Sequence, residues 1–142
     1  MNKVFKYVVL FLVMLCVVVI AKFYLAEVPS AVIKGSSMLP LLREGDIVFI
    51  AKAGPSDIKV GDIIVYKSNY DTYIIHRVVG ILIVGNEYYY VTKGDNNIMP
   101  DYWQFGNYPG IPYERVVGKV VSVGNAVFKI PYIGHLALMF RH

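Results

Sequence analysis

The sequence predicts a mostly β domain of antiparallel strands behind one N-terminal transmembrane helix. Three observations predict it: a long uncharged run lies near the start, short β-branched and aromatic runs follow it, and Gly, Asn, Asp and Pro interrupt those runs at short intervals. The chain has 142 residues, of which 56% are hydrophobic and 17% charged. That length suits one compact core, so we expect a single domain beyond the helix.

The helix is predicted by residues 7–21, which carry no charge and read YVVLFLVMLCVVVIA. With the apolar residues on either side, this run reaches roughly the 20 residues that a ~30 Å hydrocarbon layer requires, and Lys6 and Lys22 can extend toward the headgroups. A cleavable secretory signal has a similar shape, but no convincing small-x-small cleavage site follows. We therefore expect residues 1–27 to remain as an anchor and residues 28–142 to form the domain.

Charge and cysteine content limit the function classes. The formal charge is +4, but Lys3, Lys6 and Lys22 belong to the anchor, and residues 27–142 hold eleven basic against ten acidic residues. No basic run suggests a nucleic-acid-binding surface. The early lysines favour a cytoplasmic N-terminus and an extracytoplasmic domain. The single cysteine, Cys16, lies in the apolar run, so we expect no intramolecular disulfide and no zinc cluster. No metal or organic cofactor is implied, because the sequence lacks ligand clusters.

The strands are predicted from β-branched and aromatic runs bounded by turn residues. They cover residues 31–34, 46–51, 62–66, 73–83, 87–93 and 115–123. Two of them begin at a Gly-Asp pair, in EGDIVFI and VGDIIVY. We interpret Asp46 and Asp62 as turn residues, because Gly accepts positive φ and Asp hydrogen-bonds to nearby backbone.

Two segments are predicted to lie outside the regular strands. Residues 96–112 contain three prolines and two glycines and are predicted to form a long irregular loop. The tail after residue 124 is apolar but interrupted by Pro131 and Gly134, and is too short to span a bilayer. We expect the tail to pack on the domain or to rest in the membrane interface.

The stretch KGSSMLP raises the question of a nucleophilic serine. Serine attacks a carbonyl only with a base in contact, a group that orients the base and donors for the oxyanion. In isolation, Ser36 and Ser37 are most simply solvated turn residues. His76 lies in a predicted strand, and histidine is the side chain whose ordinary pKa, about 6.5, suits a general base. His135 and His142 lie in or beyond the tail.

Two acids in turns complete the set of candidates. Asp95 lies in TKGDNN, and Asp101 follows six residues later, after Pro100. Each is separately explained as a turn acid.

Together these residues resemble signal peptidase I of the archaeal and endoplasmic reticulum type. The resemblance is carried by GSSMLP, GDIV, IIHRVVG, TKGDNN with an acid six residues later, and IPYIG, in that order over almost the whole chain. It implies an antiparallel, partly barrel-like β domain that cleaves signal peptides from exported preproteins after small residues.

The resemblance also implies roles for individual residues. Ser37 corresponds to the nucleophile, and His76, where bacterial relatives carry lysine, corresponds to the general base. Asp101 would orient His76, and Asp95 matches a second acid near the site. Spacing does not decide which acid contacts the imidazole, and we favour Asp101. The order Ser, His, Asp is no objection, since such a triad is defined by geometry.

Substrate contacts are expected by the same resemblance. Strands at residues 33–35 and 73–75 would pair with the substrate backbone, and shallow apolar pockets would admit small side chains. The candidate pocket walls, which are equally well explained as core residues, are Ile33, Met38, Leu42 and Ile75.

The chain departs from the family pattern at Gly35. Many relatives carry there a serine whose hydroxyl contributes to the oxyanion hole, and glycine cannot. The backbone N–H of Ser37 remains as one donor, and whether Ser36 or another N–H supplies the second stays open.

Two other classes stay open beside this one. A self-cleaving, repressor-like protease has a related β core but a lysine base, and the transmembrane helix, the lack of a DNA-binding segment and His76 disfavour it. A catalytically inactive, anchored β domain that binds exported chains or supports a complex differs only in its chemistry. Expected partners are signal-peptide-bearing preproteins, the lipid bilayer and subunits of a secretion or signal peptidase complex, with no nucleic acid.

Overall fold

The computed structural model describes residues 2–25, 29–101, 106, 108–124 and 126–133. These residues form one α-helix, α1 (Lys3–Leu25), two 3₁₀ turns and ten β-strands. The strands are β1 (Ser30–Val32), β2 (Ile47–Ala51), β3 (Ile63–Lys67), β4 (Tyr73–Val84), β5 (Glu87–Lys93), β6 (Ile111–Pro112), β7 (Val116–Val120), β8 (Ser122–Val123), β9 (Ala126–Val127) and β10 (Lys129–Ile130).

Helix α1 has the length and composition of a membrane span. Its 23 residues extend about 35 Å at 1.5 Å per residue, slightly more than a ~30 Å hydrocarbon layer. The window from Lys3 to Lys22 is apolar and none of it is buried against the rest of the chain. The predicted apolar helix is thus observed, and the described part of its apolar surface is not covered by other parts of the chain.

The strands form an antiparallel sheet in the order β1-β2-β7-β3-β4-β5-β6, with β10 also paired to β2. Strands β8 and β9 make a separate hairpin. The mostly β prediction is confirmed. The sheet is not a closed barrel among the described residues, because the short end strands β1 and β6 each pair with one neighbour only.

Predicted and observed strands differ mainly at their ends. Glu87–Lys93 is observed as predicted, but the sixth predicted strand, 115–123, is divided into β7 and β8. Between them, the Val121 N–H bonds to the carbonyl of Phe49 at 2.9 Å. The predicted loop 96–112 ends in β6, which pairs with β5, and residues 102–105 and 107 of that loop lie outside the described residues.

The sheet is buried on both faces at β3. Successive side chains of a strand point to opposite faces, and accordingly Ile63 and Val65 pack in one apolar cluster while Ile64 and Tyr66 pack in a second. His76 of β4 is the direct cross-strand partner of Ile64. Cross-strand partners share a face, so His76 lies on the face of the second cluster.

The two Gly-Asp turns confirm the structural interpretation of their acids. Gly45 and Gly61 have φ values of 85° and 98°, which favour glycine. Asp46 accepts a hydrogen bond from the Arg43 N–H at 3.0 Å, and Asp62 accepts one from the Lys59 N–H at 2.8 Å. Each acid therefore closes the turn that starts its strand.

Asp46 is expected to make the domain sensitive to acid. Burial raises the pKa of its carboxyl, but the ammonium of Lys129 at 2.6 Å and the Arg43 N–H outweigh burial and hold the pKa below its usual value. A lowered folded-state pKa gives stability that is present above the unfolded pKa, about 4, and is lost as pH falls through the folded value. Asp46→Asn should therefore lower the free energy of unfolding at pH 7 by about 1–3 kcal/mol, and by less at pH 3.

Urea denaturation of the full chain in detergent at several pH values checks this prediction. Asp62→Asn is the matched control, because Asp62 closes the same kind of turn with a side chain that is 19% exposed, compared with 1% for Asp46. A loss of stability in Asp46→Asn that is equal at pH 7 and pH 3 would contradict the assignment.

Candidate active site

Ser37 lies on a turn that is held to the core by buried apolar side chains. After β1, the chain bends at Gly35, whose φ is 86°, and the residue after Ser37, Met38, is buried with Leu42 in the first apolar cluster. The Leu42 N–H bonds to the carbonyl of Met38 at 2.9 Å. Ser37 itself is half-buried, so it lies at the protein surface, next to the buried side chains that hold the turn.

The structure brings Ser37, His76 and Asp101 into one line of contacts. The Ser37 Oγ lies 3.1 Å from His76 Nε2, and His76 Nδ1 lies 2.6 Å from Asp101 Oδ2. His76 and Asp101 are 6% and 8% exposed, so water has little access to the pair. Residues 39 and 25 positions apart in sequence therefore meet within hydrogen-bonding range.

This geometry fixes the roles of the two ring nitrogens. A carboxylate only accepts hydrogen bonds, so Nδ1 of the neutral imidazole donates to Asp101, and Nε2 is left as the acceptor. The Ser37 hydroxyl is then the donor toward Nε2. The arrangement can take up the hydroxyl proton when the oxygen attacks a carbonyl carbon.

Two further residues hold Asp101, and the sequence did not reveal them. The Thr92 hydroxyl donates to Asp101 Oδ2 at 2.6 Å, and the Tyr66 hydroxyl donates to the same oxygen at 3.1 Å. Burial, followed by the nearby Asp101 charge, raises the pKa of Tyr66 well above its usual range, so this hydroxyl keeps its proton. Both residues lie on predicted strands, but only the register between strands places them beside Asp101.

Asp95 has a different partner. Its two carboxylate oxygens accept hydrogen bonds from Nε and Nη2 of Arg77, both at 2.7 Å. Arg77 also donates from Nη1 to the carbonyl of Gly61 at 2.8 Å, and the bond to Asp95 raises the pKa of Arg77. Of the two candidate acids, Asp101 is therefore the one in contact with the imidazole. Asp95 is bound to Arg77, the residue that follows His76 in the chain.

The expected substrate contacts fall into two groups. Ile33, Met38 and Leu42 are 4%, 2% and 0% exposed and belong to the first apolar cluster, as the core alternative predicts. Ile75 packs against the same cluster but is only half-buried. Gly35 and Ser36 are exposed beside Ser37.

One of the two strands expected to pair with substrate is not observed. Strand β1 ends at Val32, and the predicted strand at 33–35 is wrong, because Gly35 adopts positive φ and turns the chain. Ile33 still continues the pairing with the next segment through two backbone bonds, at 2.8 Å to Asp46 and 3.0 Å from Gly45. Residues 73–75 lie in β4 as predicted.

Two of the three histidines, His135 and His142, lie outside the described residues. Within the part of the chain that the structure describes, no three His, Cys, Asp or Glu side chains are placed to hold a metal ion.

Comparison with known proteins decides the family. Residues 4–82 match the family described as signal peptidase, peptidase S26. The chain belongs to this family. The match includes Ser37 and His76, and it ends before both candidate acids.

Individual relatives agree with the family match. The chain is 32% identical over 116 residues to the signal peptidase complex catalytic subunit sec11 of Sclerotinia sclerotiorum, covering 78% of this chain and 63% of that protein. It is 30% identical over 118 residues to the signal peptidase complex catalytic subunit SEC11C of Homo sapiens, covering 82% and 59%. An uncharacterized protein of Methanocaldococcus jannaschii is 22% identical over 174 residues, covering 78% and 82%. The chain thus spans about three fifths of the first two relatives.

Proposed function

We propose that this protein is a membrane-anchored serine endopeptidase that removes signal peptides from exported preproteins. The observation that carries the proposal is the line of contacts from the Ser37 hydroxyl through His76 to Asp101. In this proposal, Ser37 is the nucleophile, His76 is the general base and Asp101 orients and stabilises His76. The family membership and the names of the relatives, catalytic subunits of the signal peptidase complex, support the substrate class.

The proposed reaction proceeds through an acyl-enzyme. The Ser37 oxygen forms a bond to the scissile carbonyl carbon while its proton passes to His76 Nε2, and the carbonyl oxygen becomes an oxyanion. His76 then gives that proton to the leaving amine as the C–N bond breaks. In the second half, a water molecule gives a proton to His76 and attacks the ester carbonyl, and the Ser37 oxygen takes the proton back on leaving.

An open strand edge beside the serine supports binding of an extended substrate. Residues 73–77 of β4 pair with β3 on one side, whereas β5 joins the other side only from Arg77 onward. Among the described strands, the stretch before Arg77 therefore has one side without a strand partner. We propose that the substrate segment pairs there by strand addition, next to His76 and with Ile75 beside its small side chains.

The anchor has a mechanistic use in this proposal. Helix α1 would place the domain of residues 28–142 at the outer surface of the membrane, with the N-terminus in the cytoplasm. Enzyme and signal peptide would then be held in one bilayer, which raises their effective concentration. Since the relatives are named as subunits of a complex, we also propose that further subunits join this chain.

The function is tested with the purified chain of 142 residues in lipid vesicles and a preprotein that carries alanine at the first and third positions before the cut. We expect cleavage after the first of these alanines, shown by the mass of the released product, and little cleavage when either alanine is replaced by a bulky residue. An intact preprotein after prolonged incubation, with Ser37 unreactive toward a fluorophosphonate, would favour the inactive binding domain instead.

A further inference from the structure

The turn at residues 94–97 is hydrogen-bonded to the turn that carries Ser36 and Ser37, here called the serine turn. The bonds are made to the carbonyl groups of these two successive residues. The backbone N–H of Asn96 donates to the carbonyl of Ser37 at 2.8 Å. The side-chain Nδ2 of Asn96 donates to the carbonyl of Ser36 at 3.2 Å, which also accepts the Leu39 N–H at 3.2 Å. One residue thus contacts the carbonyls on both sides of the nucleophile.

These contacts determine where the Ser37 N–H points. A trans peptide group is planar, so its C=O and N–H point in opposite directions. Asn96 and Leu39 both donate to the Ser36 carbonyl, which therefore points toward them. The Ser37 N–H belongs to the same peptide group and so points away from Asn96 and Leu39. Among the described residues, this N–H has no hydrogen-bond acceptor, so it is available to an oxyanion.

The turn that carries Asn96 is itself fixed to the strand of the base. Asp95 is bound by Arg77, which directly follows His76 on β4, through two bonds of 2.7 Å. Gly94 lies so close to the serine turn that an added Cβ would come within 2.7 Å of the Ser37 carbonyl oxygen. Bonds from Arg77 to Asp95, and from Asn96 to the serine turn, therefore connect the strand that carries His76 to the peptide groups at Ser37.

We infer that Asn96 is a positioning residue that aims the Ser37 N–H at the oxyanion formed during acyl transfer. The inference rests on the proposed function and adds a residue to it. It also addresses Gly35, which has no hydroxyl to offer the oxyanion: a site that depends on backbone donors needs those peptide groups held in place.

The test compares Asn96→Ala, Asn96→Asp and the neighbouring control Asn97→Ala, each in the chain of 142 residues. Asn96→Ala keeps the backbone N–H and removes only the bond to Ser36, so kcat should fall roughly three- to tenfold with KM within about twofold, the effect of one hydrogen bond. Asn96→Asp places a carboxylate against the Ser36 carbonyl and should reduce kcat further. Asn97→Ala should be close to the parent.

A fluorophosphonate supplies a second readout that is independent of the preprotein. The Ser37 oxygen bonds to phosphorus as fluoride leaves and the proton passes to His76, and the phosphoryl oxygen occupies the oxyanion position. The labelling rates of the variants should follow the same order as kcat. Gly94→Ala, whose Cβ would press on both the Ser37 carbonyl oxygen and the Asn97 amide, should slow labelling as well.

Each outcome separates this inference from the proposed function. Equal kcat and labelling rates in Asn96→Ala and Asn97→Ala, with the parent enzyme active, would overturn the role of Asn96 and leave the function in place. A fall in melting temperature with a matching rise in KM would show a merely structural role. A parent enzyme that is labelled but cleaves no preprotein would overturn the function, and the labelling rates would still decide the role of Asn96. A parent that shows neither reaction overturns both.

Discussion

Replacing Ser37 by alanine is expected to reduce preprotein cleavage at least about 10⁴-fold, because the proposed acyl-enzyme can no longer form. The fold should survive. The Ser37 side chain is half-buried at the surface of its turn and its hydroxyl contacts His76, while Met38 and Leu42, which anchor the turn, are unchanged. Cleavage rates and a thermal melt of the same preparation measure the two effects separately.

Two other serines serve as controls for this variant. Ser56 lies in an exposed 3₁₀ turn, so Ser56→Ala should leave cleavage unchanged. Ser36→Ala removes the adjacent hydroxyl and keeps the backbone donors of the serine turn, so it should retain most of the activity and all of the fluorophosphonate labelling. Full activity in Ser37→Ala, or loss of labelling in Ser36→Ala alone, would show that Ser37 is not the nucleophile.

The sequence was sufficient for the parts of the fold that depend on local pattern. The uncharged run predicted α1, the β-branched and aromatic runs between turn residues predicted β2 to β5 within one or two residues at each end, and the Gly-Asp pairs predicted turns at Asp46 and Asp62. Each of these features is determined by residues that follow one another in a single continuous segment of the chain. Closure of the sheet is not, because it depends on whether distant end strands meet.

In the candidate site, too, some features follow from local sequence and others depend on contacts between distant residues. The residue types alone offered Ser36, Ser37 and His76 as candidates, and the resemblance to signal peptidase I singled out Ser37 as the nucleophile and His76 as the base. The contacts that distinguish Asp101 from Asp95 depend on register: Thr92 and Tyr66 come from two strands and meet Asp101 on one face of the sheet. Arg77, one residue after His76, points to the other face and binds Asp95. No spacing in the sequence records which acid meets which neighbour.

The second large effect is expected at Asp101 and discriminates the two acids. Asp101→Ala should lower kcat about 10⁴-fold, because the imidazole loses both its orienting partner and the charge that stabilises its protonated form. Asp101→Asn should cost less, roughly 100-fold. In that variant, Thr92 and Tyr66 still donate to the amide oxygen, which keeps this oxygen toward Nδ1 and preserves the productive tautomer, so only the charge is lost.

Asp95→Asn is the matched comparison, since the two carboxylate oxygens of Asp95 are bound to Arg77 rather than to the imidazole. It should lower kcat only about tenfold, by loosening the turn that holds the serine. Steady-state kinetics of the three variants on one preprotein measure these values. The double variant Asp101→Asn with Thr92→Val gives a further check. Without the Thr92 hydroxyl, only the longer bond from Tyr66 holds the amide oxygen, so the amide can rotate more readily and present its NH₂ to Nδ1, and activity should fall further toward that of Asp101→Ala. If Asp95→Asn were the more damaging single change, the acid that supports His76 during catalysis would be Asp95, and the contact between Asp101 and the imidazole would be structural.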